Sequence, residues 1–213
     1  MLVWQLADSA FPSGGFAHSG GLEACWQAGL VDADSLAAWI EAQIVQVGRG
    51  ALPFVLAAYR APELFFSIDA ECDAFLNNHV ANRASRAQGQ AFGDTAARTL
   101  AIAELARFRE QARGSPMHLP VVFGVVCQLL DVSIEQTACL YVFLSLRGWI
   151  SAAVRLGIVG PMEGQAIQSR LLAVAQSRAD QALESSAGAA QTAPIADMLL
   201  AGHDRLYSRL FQS

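Results

Sequence analysis

From Leu36 to the end of the chain, apolar residues return at helical rather than strand spacing. Proline and glycine interrupt them at intervals that suit helices of about 10–25 residues. Leu36, Trp39, Ile40, Ile44 and Val47 share one helical face, with Asp32 or Asp34 placed to cap it. Ile167, Leu171, Val174 and Ala182 form a second stripe, entered through Pro161, a residue suited to a first helical turn. Ser133 and Gln136 have capping-box spacing ahead of an apolar run. Breaks fall at 11–21, 48–53, 61–62, 114–120, 157–161 and 185–194. Strand signals are weak; 121–126 is the best strand candidate, and helical patterns flank it on both sides. The expectation is an all-α fold: one domain over 1–213, a bundle of roughly eight to ten helices. Within it, 185–193 is small, polar and read as a flexible connection. The part from 194 to 213 is read as a C-terminal partner-binding helix and tail, its helix opened by Pro194 and reaching nearly to Phe211.

Composition narrows the function. Hydrophobic residues make up 54% of the 213 positions and charged ones 15%, well below the ~25% charge of ordinary domains. Such a chain leaves apolar surface for a partner. The net charge of -5 and the lack of any basic run argue against nucleic acid. All 14 basic residues are arginine, which excludes a Walker lysine and a Schiff-base lysine. Cys25, Cys72, Cys127 and Cys139 form no CxxC pair and read as free thiols of a reducing, cytoplasmic setting. No secretory leader is evident at the start. The apolar stretches 119–130 and 138–146 fall short of a membrane span, with Arg147 closing the second, so no membrane association is expected.

The stretch ADSAFPSGGFAHSGGLEA, residues 7–24, carries the densest chemistry. Ser19 with His18 as base would make a small hydrolase. However, the nucleophile-elbow pattern is absent and adjacent residues point apart on a helix. The glycines lack the preceding strand and the lysine of a phosphate loop; a tight turn at Pro12–Gly15 explains them better. His18, His79, His118 and His203 show no paired ligand spacing, which argues against a closed metal site, although a nickel-binding carrier is a third reading. In the polar segment 82–89, Arg83 is placed to lock helices through carbonyls or a carboxylate. The end of the chain, HDRLYSRLFQS, keeps aromatic residues and arginines together to the last positions, the composition of interface anchors.

Three segments together resemble the UreF family of urease accessory proteins. The first runs from Asp8 through Pro12, Gly14, His18, Ser19 and Gly21 to Glu23. The second is the Arg83/Ser85/Gln88-Gly89 helix followed by apolar helices into 153–157. The third is Leu206-Tyr207-Ser208-Arg209-Leu210-Phe211. The resemblance implies an all-α cytoplasmic protein without catalytic residues of its own. Such a protein forms a homodimer and binds UreD (also called UreH). The pair recruits and modulates the GTPase UreG, and the assembly delivers nickel to the urease apoprotein subunits. No cofactor is held tightly; nickel is handled by the assembled complex. On the same ground Asp8, Pro12, Gly14, His18, Ser19, Gly21 and Glu23, with Arg83, are expected at partner or dimer surfaces. Tyr207, Arg209, Leu210 and Phe211 are expected in the contact with UreD. Phe11 and Phe16 would anchor the opening motif to the core, while His18 and Glu23 orient its turn or touch nickel in transit. Relatives often carry a bulkier residue at Gly20, and any family role of lysine has no counterpart in this chain.

Overall fold

A computed structural model describes residues 2–213. Among the described residues there is no strand, and the chain is an all-α bundle. Nine helices among the described residues have eight residues or more: α3 (Leu36–Gln46), α4 (Leu52–Arg60), α5 (Phe65–Phe75), α6 (His79–Thr99), α7 (Ala103–Gln111), α8 (Leu119–Leu129), α9 (Ile134–Arg155), α10 (Pro161–Glu184) and α11 (Pro194–Ala201). Two shorter ones, α1 (Leu2–Ala7) and α2 (Leu22–Gln27), flank the opening motif.

The helices start where local chemistry satisfies their free N–H groups. Ser133 Oγ accepts from the Gln136 N–H at the head of α9, and Asn78 Oδ1 accepts from Val80 and Ala81 at the head of α6. Neither Asp32 nor Asp34 caps α3 through its side chain. Ser35 takes the position before it, and Asp32 instead binds the Ser35 N–H and hydroxyl, closing a turn ahead of the helix. A π-turn, Val47–Ala51, joins α3 to α4 without breaking the rod.

The core forms around α8. Every residue from Pro120 to Cys127 is buried, including the former strand candidate 121–126. A helix enclosed on all sides loses its apolar/polar alternation, so periodicity alone could not separate it from a buried strand. α8 packs against α4 and α6, and α9 packs along α10. Gly124 permits the α4 contact: a Cβ there would sit 2.2 Å from the Val55 carbonyl oxygen. At its head, the buried Asp69 carboxylate accepts from the Met117 and His118 N–H groups at 2.8 Å each. The fully buried His118 ring then bridges Ser85 Oγ on α6 (3.1 Å) and Asp73 on α5 (3.0 Å).

Three expectations need correction. The helix opened by Pro194 ends at Ala201, and one 3-10 turn (His203–Arg205) leads into an irregular tail. Side chains pull that tail onto the core, and a straight helix would carry it away. The apolar run ending before Arg147 is part of a 22-residue helix that continues to Arg155. α9 is therefore long and apolar enough to cross a membrane, although a little over half of that span is buried inside the bundle. Phe16 is 73% exposed and does not anchor the core; Phe11 does, against Phe92 at 5.7 Å between ring centroids. The connection at 185–193 is irregular. Near its end, Gln46 Oε1 accepts from the Thr192 hydroxyl and the Ala193 N–H, and the Ala190 N–H donates to Arg49.

Candidate partner-binding surface

The opening motif folds as a turn held at both ends by arginines of α9. Arg147 donates to the Ala7 carbonyl and Arg155 to that of Phe16. Eight residues apart on one helix, they bracket the eight residues of loop between Ala7 and Phe16. Between them Asp8 closes a small turn by accepting from the Ala10 N–H at 2.8 Å, and the Pro12 carbonyl accepts from Thr95 of α6. Gly14 and Gly21 have φ of 76° and 90°, in the left-handed region that L side chains resist, so the backbone reversals at these points need glycine. The exposed Phe16 ring lies under the Arg155 guanidinium, 3.7 Å from centroid to carbon; Phe211 lies on the same cation at 4.2 Å.

The motif is paired with the end of the chain. The Ala17 carbonyl accepts from the Gln212 N–H at 2.8 Å, and the Ser213 carbonyl accepts from both the Ser19 N–H (2.6 Å) and the Ser19 hydroxyl (2.7 Å). His18 Nδ1 meets the Ser213 hydroxyl at 2.7 Å. Burial, with the Arg83 and His203 charges adding to it, holds the His18 imidazole below its usual value. Ser19 and His18 therefore each bond to Ser213 and not to each other; the nucleophile–base pair of the hydrolase reading is not formed.

Glu23 is the centre of this arrangement. It is 2% exposed on α2, and its carboxylate accepts from the Leu210 N–H (2.7 Å) and the Phe211 N–H (3.1 Å) and meets His203 Nε2 at 3.1 Å. Nδ1 of the buried His203 has no partner among the described residues. A carboxylate in this setting is stable only because it is hydrogen-bonded, and its partners come from the tail. Next to it, Asp204 takes a two-pronged contact from Arg83 (2.8 and 3.0 Å) and a third bond from Arg209 at 3.1 Å, with His79 at 3.6 Å. The Arg83 hydrogen bonds hold the Asp204 carboxyl below the usual carboxylate range. Arg83 thus acts through a carboxylate, fastening α6 to the tail. Asn78 ties α11 to α6 as well, donating to the Asp197 carbonyl at 2.7 Å.

The candidate residues therefore converge on one face, where the beginning and the end of the chain are knit together. Pro12 and Gly14 are exposed on its loop; Glu23, Ser19 and Phe211 form its buried seam; Tyr207 is fully exposed, Leu210 is 52% exposed, and Arg209 rims the seam. Sequence reasoning missed the clamp at Asp69, Asp73, Ser85 and His118, and the pairing of Glu23 with His203. The i,i+4 spacing of Asp69 and Asp73 was visible, but nothing local announced a partner dozens of residues away. Among the described residues no three His, Cys, Asp or Glu side chains converge as a metal site would require.

A family model described as UreF matches residues 30–172. The chain is 38% identical over 218 residues to urease accessory protein F of Arabidopsis thaliana, covering 99% of this chain and 91% of that one. It is 35% identical to urease accessory protein F of Oryza sativa subsp. indica, covering 98% and 83%. It is 32% identical to urease accessory protein UreF of Bradyrhizobium diazoefficiens, covering 100% and 90%. These full-length matches take in the opening motif and the tail, both of which lie outside the family-model segment.

Proposed function

We propose that this chain, which belongs to the UreF family of urease accessory proteins, works in urease maturation as a non-catalytic cytoplasmic scaffold. It binds UreD (UreH) through the face where the opening motif meets the tail. As a homodimer it recruits and modulates the GTPase UreG, so that the assembly passes nickel, its cargo, to the urease apoprotein. The observation that carries this reading is the buried Glu23 seam. It fixes the tail so that Tyr207 and Leu210 are exposed next to the Arg83–Asp204–Arg209 group, while the exposed Phe16 meets the same tail through Arg155 and Phe211. Interface centres are built from such residues.

Ser19 and His18 are both engaged by Ser213, which supports a recognition element over a hydrolase. A tight nickel carrier would need ligands from a second chain to complete a set. The test is coexpression of the chain with UreD, UreG, the urease subunits and nickel. A copurifying UreD–chain–UreG complex and chain-dependent urease activity are expected. Folded chain that captures neither partner and leaves urease inactive would overturn the proposal.

A further inference from the structure

Beneath the opening motif lies a cavity of about 500 Å³, within the usual range for small-molecule sites. It is lined by the loop residues Ser9–Gly15, of which Ser9, Ala10, Pro12 and Gly14 are exposed, by residues of α4, α6 and α9, and by Cys72 of α5. Phe54, Phe75, Phe92, Phe123, Tyr141 and Trp149 are its aromatic lining. Besides Cys72 and Tyr141, four titratable side chains reach it. Asp197 is taken up by Asn78, His18 by Ser213, and Arg155 by the Phe16 and Phe211 rings. Arg147 differs from these.

Arg147 is half-buried, and burial lowers its pKa, the mark of a desolvated cation. It makes one hydrogen bond, to the Ala7 carbonyl, and among the described residues no carboxylate pairs with it. Asp8, the nearest acid by its effect on Arg147, turns its carboxylate back onto the Ala10 N–H. Arg147 lines the cavity with donors of its planar fork left over, and that fork matches a carboxylate. Gln88 lines the same cavity without a hydrogen-bond partner among the described residues. A mainly apolar space lined by a guanidinium that no carboxylate pairs suits a molecule with an apolar body and one anionic end.

We propose that this cavity binds a medium-chain carboxylate, with the carboxylate on Arg147 and the alkyl chain among the aromatic walls. The cavity shares Pro12, Gly14 and Phe16 with the proposed partner face, so the readout is direct binding to the chain alone, which does not require the assembly role.

The test is calorimetric titration of the full chain with octanoate, decanoate and dodecanoate below their micelle concentrations. Decanol and decyltrimethylammonium serve as neutral and cationic counterparts. The expected result is saturable one-to-one binding of decanoate, tightening about eightfold to twentyfold for each two methylenes added. Decanol should bind more weakly and the cation not at all. Arg147→Gln should remove the preference for decanoate over decanol while leaving decanol binding intact. Should that variant fail to fold, Leu144→Trp fills the cavity wall and leaves Arg147 in place, and it should weaken binding of every chain length. Equal binding of the ammonium compound, non-saturable uptake, or decanoate binding unaffected by Leu144→Trp would each overturn the proposal.

Discussion

The carboxylate of Glu23 on α2 accepts the backbone N–H groups of Leu210 and Phe211, 187 and 188 residues further along the chain. The tail is thus held by hydrogen bonds to a buried charge as well as by burial of the Phe211 ring. Glu23→Ala is expected to cost about 3 kcal/mol, because two N–H groups and His203 lose their partner together. Hydrogen exchange should show protection at 210 and 211 collapsing while α8 stays protected. Unchanged protection there would mean that Phe211 packing alone holds the tail.

Acid should loosen the molecule in two windows. The folded-state value of His18 is lowered, so below about pH 6.5 the unfolded chain binds the proton more readily. Stability contributed by neutral His18 is therefore complete above that pH and is lost as pH falls towards the folded value. The Asp73 carboxyl is held low by Asn82 and then by His118; its contribution is complete above about pH 3.9 and is lost as pH falls through the folded value. Urea midpoints across pH should show both slopes. His18→Gln should flatten only the upper one, and Asp73→Asn only the lower.

Two glycine-to-alanine changes should move stability in opposite directions. Gly124→Ala drives a methyl into the Val55 carbonyl, where α4 and α8 touch, and is expected to cost about 3 kcal/mol. In Gly148→Ala the new methyl on α9 meets nothing within 4 Å, and helix propensity should return about 0.5–1 kcal/mol. Chemical denaturation of both variants decides it; equal losses would place α8 further from α4 than described.

The Arg83–Asp204 pair is partly exposed, with side-chain exposures of 54% and 34%, so its coupling in a double-mutant cycle should be about 0.5 kcal/mol and fade in high salt. A coupling several times larger, insensitive to salt, would mark a dry seam in place of a wet rim.

Tyr207→Ala and Leu210→Ala should leave folding stability within about 0.5 kcal/mol, since both side chains stand in solvent. Under the proposed function both should weaken capture of UreD. Full capture by the double variant would move the interface elsewhere on the chain.

The helices were legible because their signals are local. Pro161, Ser133 and the Leu36–Ile44 stripe act within a turn or two of themselves, and each set a helix where expected. The turns of the opening motif were legible too, since Gly14 and Gly21 declare backbone reversals that few other residues allow. Phe16 and the last helix were misjudged for one reason. An aromatic ring is equally at home in a core or on an arginine, and an amphipathic tail is equally compatible with helix or with docking. Arg155 decided the first. Glu23, with Ser19, decided the second by capturing the tail backbone at 210–213. The sequence by itself determined most of the helical segments and the glycine-rich turn near its start. Only the tertiary structure decided that the two ends of the chain form one face, because a buried carboxylate is satisfied by whichever N–H groups the fold delivers, and their separation along the chain leaves no periodic trace.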